Sequence, residues 1–142
     1  MDLFSFLPNF GSLAWTLAAF VLALSIIVFV HEYGHYIVGR WSGIHAEVFS
    51  IGFGPKLFAF ADKRGTVWQF AALPFGGYVR FKGDSDAASS PDGHALDVMT
   101  PAERRASMPG APLWARSATV AAGPVFNFVF TIAILMTLLL VQ

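Results

Sequence analysis

The 142-residue chain has no cysteine. That excludes a disulfide framework and thiolate metal ligands, so any metal site must be built from nitrogen and oxygen donors. Charge is scarce as well. Only 13% of the residues are charged, the formal net charge is zero, and 56% are hydrophobic. Such a balance supplies no basic footprint for nucleic acid, and the apolar share is too large for an ordinary soluble domain. Before residue 13 the only charge is Asp2. The basic start of a cleavable secretory signal is therefore missing, and the first apolar run is expected to persist as an anchor.

What is present is two long charge-free runs, residues 13–30 and 117–141. Each meets the about 17–25 residues needed to cross a bilayer as a helix. All nine Lys and Arg residues (Arg40, Lys56, Lys63, Arg64, Arg80, Lys82, Arg104, Arg105, Arg116) fall between the two runs. The positive-inside rule then predicts a cytosolic central loop and both ends of the chain outside.

The pattern divides the chain into five stretches: an extracytoplasmic start (1–12), a first membrane helix (13–40), a β-rich region (41–83), a flexible cytosolic linker (84–116) and a second membrane helix (117–142). The expected fold is an α-helical membrane protein whose two spans are joined by a cytosolic loop with a membrane-associated β-hairpin region. β-Branched and aromatic residues bounded by glycines mark 44–83 as β structure, with Asp62-Lys63-Arg64-Gly65 as a turn. This region is so apolar that part of it is expected to re-enter the membrane, packed on protein or lining a wet cavity. In the linker, Thr100-Pro101-Ala102-Glu103 reads as a helix cap.

Chemistry is concentrated in His31-Glu32-Tyr33-Gly34-His35, an H-E-x-x-H pattern at the end of the first apolar run. Four residues advance a helix by about 400°, so His31 and His35 project from one face, a turn apart, as ligands for a single tetrahedral ion. Glu32 points to the adjacent sector, where a general base belongs. At about 1.5 Å per residue, His31 lies roughly 27 Å from residue 13, just inside the cytosolic boundary of a core about 30 Å thick. Three polar side chains there are costly enough to argue for function over chance, at roughly 2.5–3.5 kcal/mol for an ionisable group at a span's centre. His45 and His94 have no partner at helical spacing and read as loop histidines. In the second run Gly123 and Asn127 stand one turn apart, and small residues there allow close helix packing.

Three features in order resemble the site-2 protease family of intramembrane zinc metalloproteases, in its bacterial regulator-of-sigma-E type. They are the H-E-x-x-H segment, Phe49-Ser50-Ile51-Gly52-Phe53-Gly54-Pro55 followed by Leu73-Pro74-Phe75-Gly76-Gly77-Tyr78-Val79, and Ala122-Gly123-Pro124-Val125-Phe126-Asn127. The resemblance implies a Zn2+ endopeptidase of the bacterial inner membrane that cuts single-span membrane proteins within the bilayer, such as anti-sigma factors or signal-peptide remnants. It also implies a substrate-holding strand edge at Gly76, Gly77, Tyr78, Val79, Arg80 and Phe81, and a substrate-binding role for Asn127, which helps hold the extended substrate or the helix packing around the site. The family takes its third zinc ligand from an aspartate in a later span, within a Leu-Asp-Gly motif. Asp62, Asp84, Asp86, Asp92 and Asp97 lack that setting, so the chain is expected to be the N-terminal portion of a longer protease and inactive alone. The rival reading is a non-catalytic membrane protein that uses the same fold to bind metal or clients. The retained Glu32 favours the enzyme.

Overall fold

A computed structural model describes residues 10–84 and 93–142 of the chain. Most of the expected N-terminal segment, together with Asp86 and Asp92, lies outside the described residues. Helix α1 spans Phe10–Trp41 and helix α4 spans Leu113–Val141. Both are long and apolar enough to cross a membrane. At 1.5 Å per residue α1 is about 48 Å long and outreaches a hydrocarbon core.

The end of α1 is written in Trp41-Ser42-Gly43-Ile44. Gly43 takes φ +84°; its N–H donates to Arg40 O at 3.1 Å, and Ile44 N–H donates to Gly39 O at 2.8 Å. This double closure satisfies the last carbonyls and needs a left-handed residue at the glycine. Ile44 then plugs into the core, 1% exposed. Helix α4 begins at Leu113, four residues before the charge-free run, because Pro112 at its N-cap presets the backbone for entry. Arg116 interrupts the apolar run and not the helix.

Between the helices lie β1 (Ala46–Ala61) and β2 (Val67–Phe81), joined by the expected turn at residues 62–66 and paired antiparallel in a two-stranded sheet. The register makes the sheet more than a simple hairpin. Lys56 to Ala61 runs antiparallel to Ala71 to Val67, as a local hairpin should, and Phe49 to Ile51 pairs with Val79 to Gly77. On its other side the same Phe49–Ile51 segment pairs with Trp68, Gln69 and Phe70. Residue numbers rise together along that second seam, so it is locally parallel. The start of β1 is thus flanked by both halves of β2. A row of side chains crosses all three: Gln69 Nε2 donates to Ser50 Oγ at 3.0 Å and to Tyr78 Oη at 3.1 Å. Both long strands bend to allow this. Gly52 and Gly54, at φ +90° and +82°, carry the bend of β1.

The core gathers where the ends of the sheet meet α1: Tyr36, Ile37, Ile44, Ala46, Phe49, Val79 and Phe81, closed by Met108, Ala111 and Ala115. Phe49 stacks on Trp68 with centroids 4.5 Å apart. The turn is tied to this cluster through Asp62, whose Oδ2 accepts from Trp68 Nε1 at 2.9 Å while Oδ1 accepts from Arg64 N and Thr66 N at 2.8 and 3.1 Å. At the opposite end Leu57, Phe58, Phe60, Phe70, Leu73 and Phe75 are exposed.

The stretch expected as a linker holds two short helices, α2 (Gly93–Asp97) and α3 (Pro101–Arg105), the latter with the predicted cap: Thr100 Oγ1 accepts from Glu103 N, and the Glu103 carboxylate accepts from Thr100 N. Ala106 and Met108 are bound to the residues that flank the two strands. His45 N donates to Ala106 O and Met108 N donates to Lys82 O, both at 2.8 Å. Main-chain bonds of this kind leave no mark in composition, which is why the stretch reads as a tether.

Candidate metal centre

Helix α1 presents His31 and His35 toward α4 one turn apart, as the four-residue spacing requires. Their Nε2 atoms lie 3.1 Å apart. Two nitrogens bound to one tetrahedral zinc at about 2.0–2.1 Å stand roughly 3.3–3.4 Å from each other, so the pair is close to chelating geometry. Nitrogen donors without thiolate suit zinc and also other first-row divalent ions. Among the described residues no three His, Cys, Asp or Glu side chains converge on such a point.

The remaining ring nitrogens are held by the other helix. His35 Nδ1 lies 2.8 Å from Thr119 O, which can only accept, so Nδ1 carries the proton and Nε2 keeps its lone pair. His31 Nδ1 lies 3.0 Å from the amide nitrogen of Asn127. Between these two partners sits Gly123. A methyl group built there would overlap Nε2 of His35 and lie 2.9 Å from Cε1 of His31. Thr119, Gly123 and Asn127 therefore form one face of α4, at steps of four, that matches the step of four in His31 and His35.

Close approach of the helices is set by further small residues. A methyl on Gly34 would come 2.6 Å from Ala122 O, and one on Gly39 would stand 3.3 Å from Cγ2 of Thr119 and also meet the ring of Phe81 on β2 at 2.7 Å. Ala115 and Thr119 are fully buried in the same seam. Backbones pack this tightly in membrane helices only where side chains are small.

Glu32 faces the sheet. A methyl on Gly77 would lie 3.6 Å from its Cγ and 3.0 Å from Cγ1 of Val28, so the end of β2 runs beside the glutamate. Along this segment Val79 and Phe81 are buried in the core, Tyr78 stacks on Phe53 at 6.0 Å, and Arg80 pairs loosely with Glu47 at 3.7 Å. Gly76 leaves room for the ring of Phe53. Gly77 to Arg80 pair with β1 on one side, and among the described residues no strand pairs with the other. Asp62, Asp84 and Asp97 do not join His31 and His35 in any metal-holding group.

The sequence named His31, Glu32 and His35 directly. Thr119 escaped it, because a backbone carbonyl has no residue-type signal. For Gly123 and Asn127 the one-turn spacing was visible, whereas their target, the two imidazoles, was not.

Comparison with known proteins finds relatives named as metalloproteases. A protein of Rhizobium meliloti named "Putative zinc metalloprotease" is 55% identical over 123 residues, 87% of this chain and 33% of its own length. One of the same description from Agrobacterium fabrum is 56% identical over 124 residues, again 87% and 33%. Metalloprotease MmpA of Caulobacter vibrioides is 43% identical over 131 residues, with the same two coverages. The chain thus spans about a third of the length of the curated relatives it matches. The profile of peptidase family M50 matches residues 19–142, a stretch that includes the histidine pair, the glutamate, both strands and the whole of α4. With an H-E-x-x-H helix locked to a glycine- and asparagine-bearing partner, this chain belongs to peptidase family M50, the site-2 protease family.

Proposed function

We propose that this chain is the metal-binding part of an intramembrane zinc endopeptidase that cleaves transmembrane segments of other membrane proteins. The observation that carries the reading is the convergence of His31 and His35 Nε2 at 3.1 Å with Glu32 in the next sector of the same helix. In that role His31 and His35 hold the ion. Zinc, when bound, lowers the pKa of water toward about 7 and polarises a carbonyl. The carboxylate of Glu32 takes the proton of the attacking water and returns it to the departing amide nitrogen.

Peptide bonds within a membrane helix are shielded by the helix's own hydrogen bonds, so the substrate has to be held extended. The unpaired side of Gly77–Arg80 supplies such a place beside Glu32, since pairing with a strand edge replaces bonds lost on unwinding. Single-span proteins fit this mode of entry. The exposed apolar end of the sheet supports a re-entrant position in the bilayer, and the placement of all Lys and Arg between the spans supports a cytosolic loop in an inner membrane.

Catalytic zinc takes three protein ligands. Two are in this chain, and we assign the third to an aspartate elsewhere in the full-length protein. These residues alone are expected to be inactive.

The test is Glu32→Gln in the full-length protein. Cleavage of a model membrane substrate should fall by about 10²–10⁴ with zinc content retained. Undiminished cleavage would overturn the assignment of Glu32 as the general base.

A further inference from the structure

We infer that Asn127 is a positioning residue for the metal ligand His31, and that its side-chain amide turns over when the ion binds. This rests on the metal-site reading above and goes beyond it in assigning how His31 is prepared.

The hydrogen bonds around the histidines run in one direction. The Asn127 amide nitrogen donates to His31 Nδ1. That leaves the His31 proton on Nε2, from which it donates to Nε2 of His35 at 3.1 Å. His35 in turn donates from Nδ1 to Thr119 O. In this arrangement His35 is ready to ligate, because its proton already sits on Nδ1. His31 is not, because the nitrogen that faces the site holds a hydrogen, and a neutral imidazole ligates only through its unprotonated nitrogen.

Asn127 carries the means to change this. Its Oδ1 is buried and has no hydrogen-bond partner among the described residues. Rotation of the amide by half a turn exchanges Oδ1 for Nδ2 at His31 Nδ1. The proton of His31 then belongs on Nδ1, donated to Oδ1, and Nε2 is left with its lone pair toward the metal. No atom is gained or lost. One proton moves from Nε2 to Nδ1 within the same ring by exchange with water, and the orphaned oxygen gains a donor. Both ligands would then be held by α4 in the same manner, His35 by a backbone carbonyl and His31 by an amide oxygen. Ligating histidines commonly donate their second N–H to such a group, and losing that partner weakens metal binding by about 10–100-fold.

A substrate contact or a packing role for Asn127 makes no demand on the His31 tautomer, which separates these readings. The experiment uses the full-length protein in detergent, with zinc affinity measured by competition against a chelator. Asn127→Leu, which cannot accept, should lose about 10–100-fold. Asn127→Asp, which can only accept, should bind within a few-fold of the parent or more tightly. Nitrogen-15 spectra of histidine-labelled parent protein should show His31 protonated on Nε2 without metal and on Nδ1 with zinc, a readout that does not depend on whether the leucine variant folds. Full affinity in Asn127→Leu, or a His31 already protonated on Nδ1 in the metal-free protein, overturns the inference while leaving the site intact. If His35→Ala binds zinc as well as the parent, the metal-site reading itself fails.

Discussion

Gly123 lies against His35 so closely that a single methyl group at residue 123 would clash with Nε2. Gly123→Ala should therefore injure the metal site through space alone. Displacing a packed ring costs about 1–3 kcal/mol, and zinc affinity should drop because the imidazole has nowhere else to point. Gly11→Ala is the control in the first turn of α1: nothing lies within 4 Å of a methyl there, so it should leave stability and zinc affinity nearly unchanged. Chelator competition and thermal melting of the two variants in detergent check both halves of the expectation.

Gly52 and Gly54 both take positive φ, yet they should not be equally sensitive. A methyl on Gly52 would also stand 2.8 and 2.9 Å from the carbonyl oxygens of Leu73 and Ala71, whereas on Gly54 it meets only the side chain of Leu73 at 3.6 Å. Gly54→Ala should cost about 1–2 kcal/mol for the left-handed backbone alone. Gly52→Ala should cost clearly more and disorder the end of β1. Limited proteolysis within residues 46–81 would rank them.

The turn between the strands should be acid-sensitive through Asp62. Partial burial would raise its carboxyl, but the Trp68 indole, the N–H groups of Arg64 and Thr66, and the Arg64 charge hold it below the ordinary carboxylate value. A depressed native value means stability that is present above the unfolded value of about 3.9 and is lost as pH falls through the native one. The parent should exceed Asp62→Ala by about 1 kcal/mol near neutrality, after allowance for solvent screening. That gap should close toward pH 3. Denaturant titrations followed by tryptophan fluorescence at both pH values test the sign.

Topology gives a further expectation. A reporter fused at Ser90 should behave as cytosolic, and one fused after Gln142 as external, because every Lys and Arg lies between the spans. The opposite labelling would move the metal site to the other face of the membrane.

Much of this molecule is readable from residue pattern because long apolar helices and local turn chemistry leave strong signals in sequence. Charge-free runs announced both long helices, and the turn at residues 62–65 and the cap at Thr100 fell where local chemistry put them. What escaped was decided by partners far along the chain. The pairing of Phe49 with both Trp68 and Val79 depends on bends at glycines whose consequence is three-dimensional. Burial of Met108 and Ala111 depends on main-chain bonds to Lys82 and to neighbours in the loop. At the site, the histidines and Glu32 were legible from spacing on one helix, while the support from Thr119 and Gly123 requires knowing which face of α4 meets α1.

The bond from His35 to Thr119 has one more consequence, which belongs to thermodynamics. In the proposed metal site a ligand on α1 is aimed by an acceptor on α4, so separation of the helices and loss of the ion are not independent events. Whatever parts α1 from α4 must also release the imidazole, and by reciprocity the bound ion resists that parting with the same free energy. Metal affinity in this protein would then serve as a gauge of how tightly its two long helices are closed.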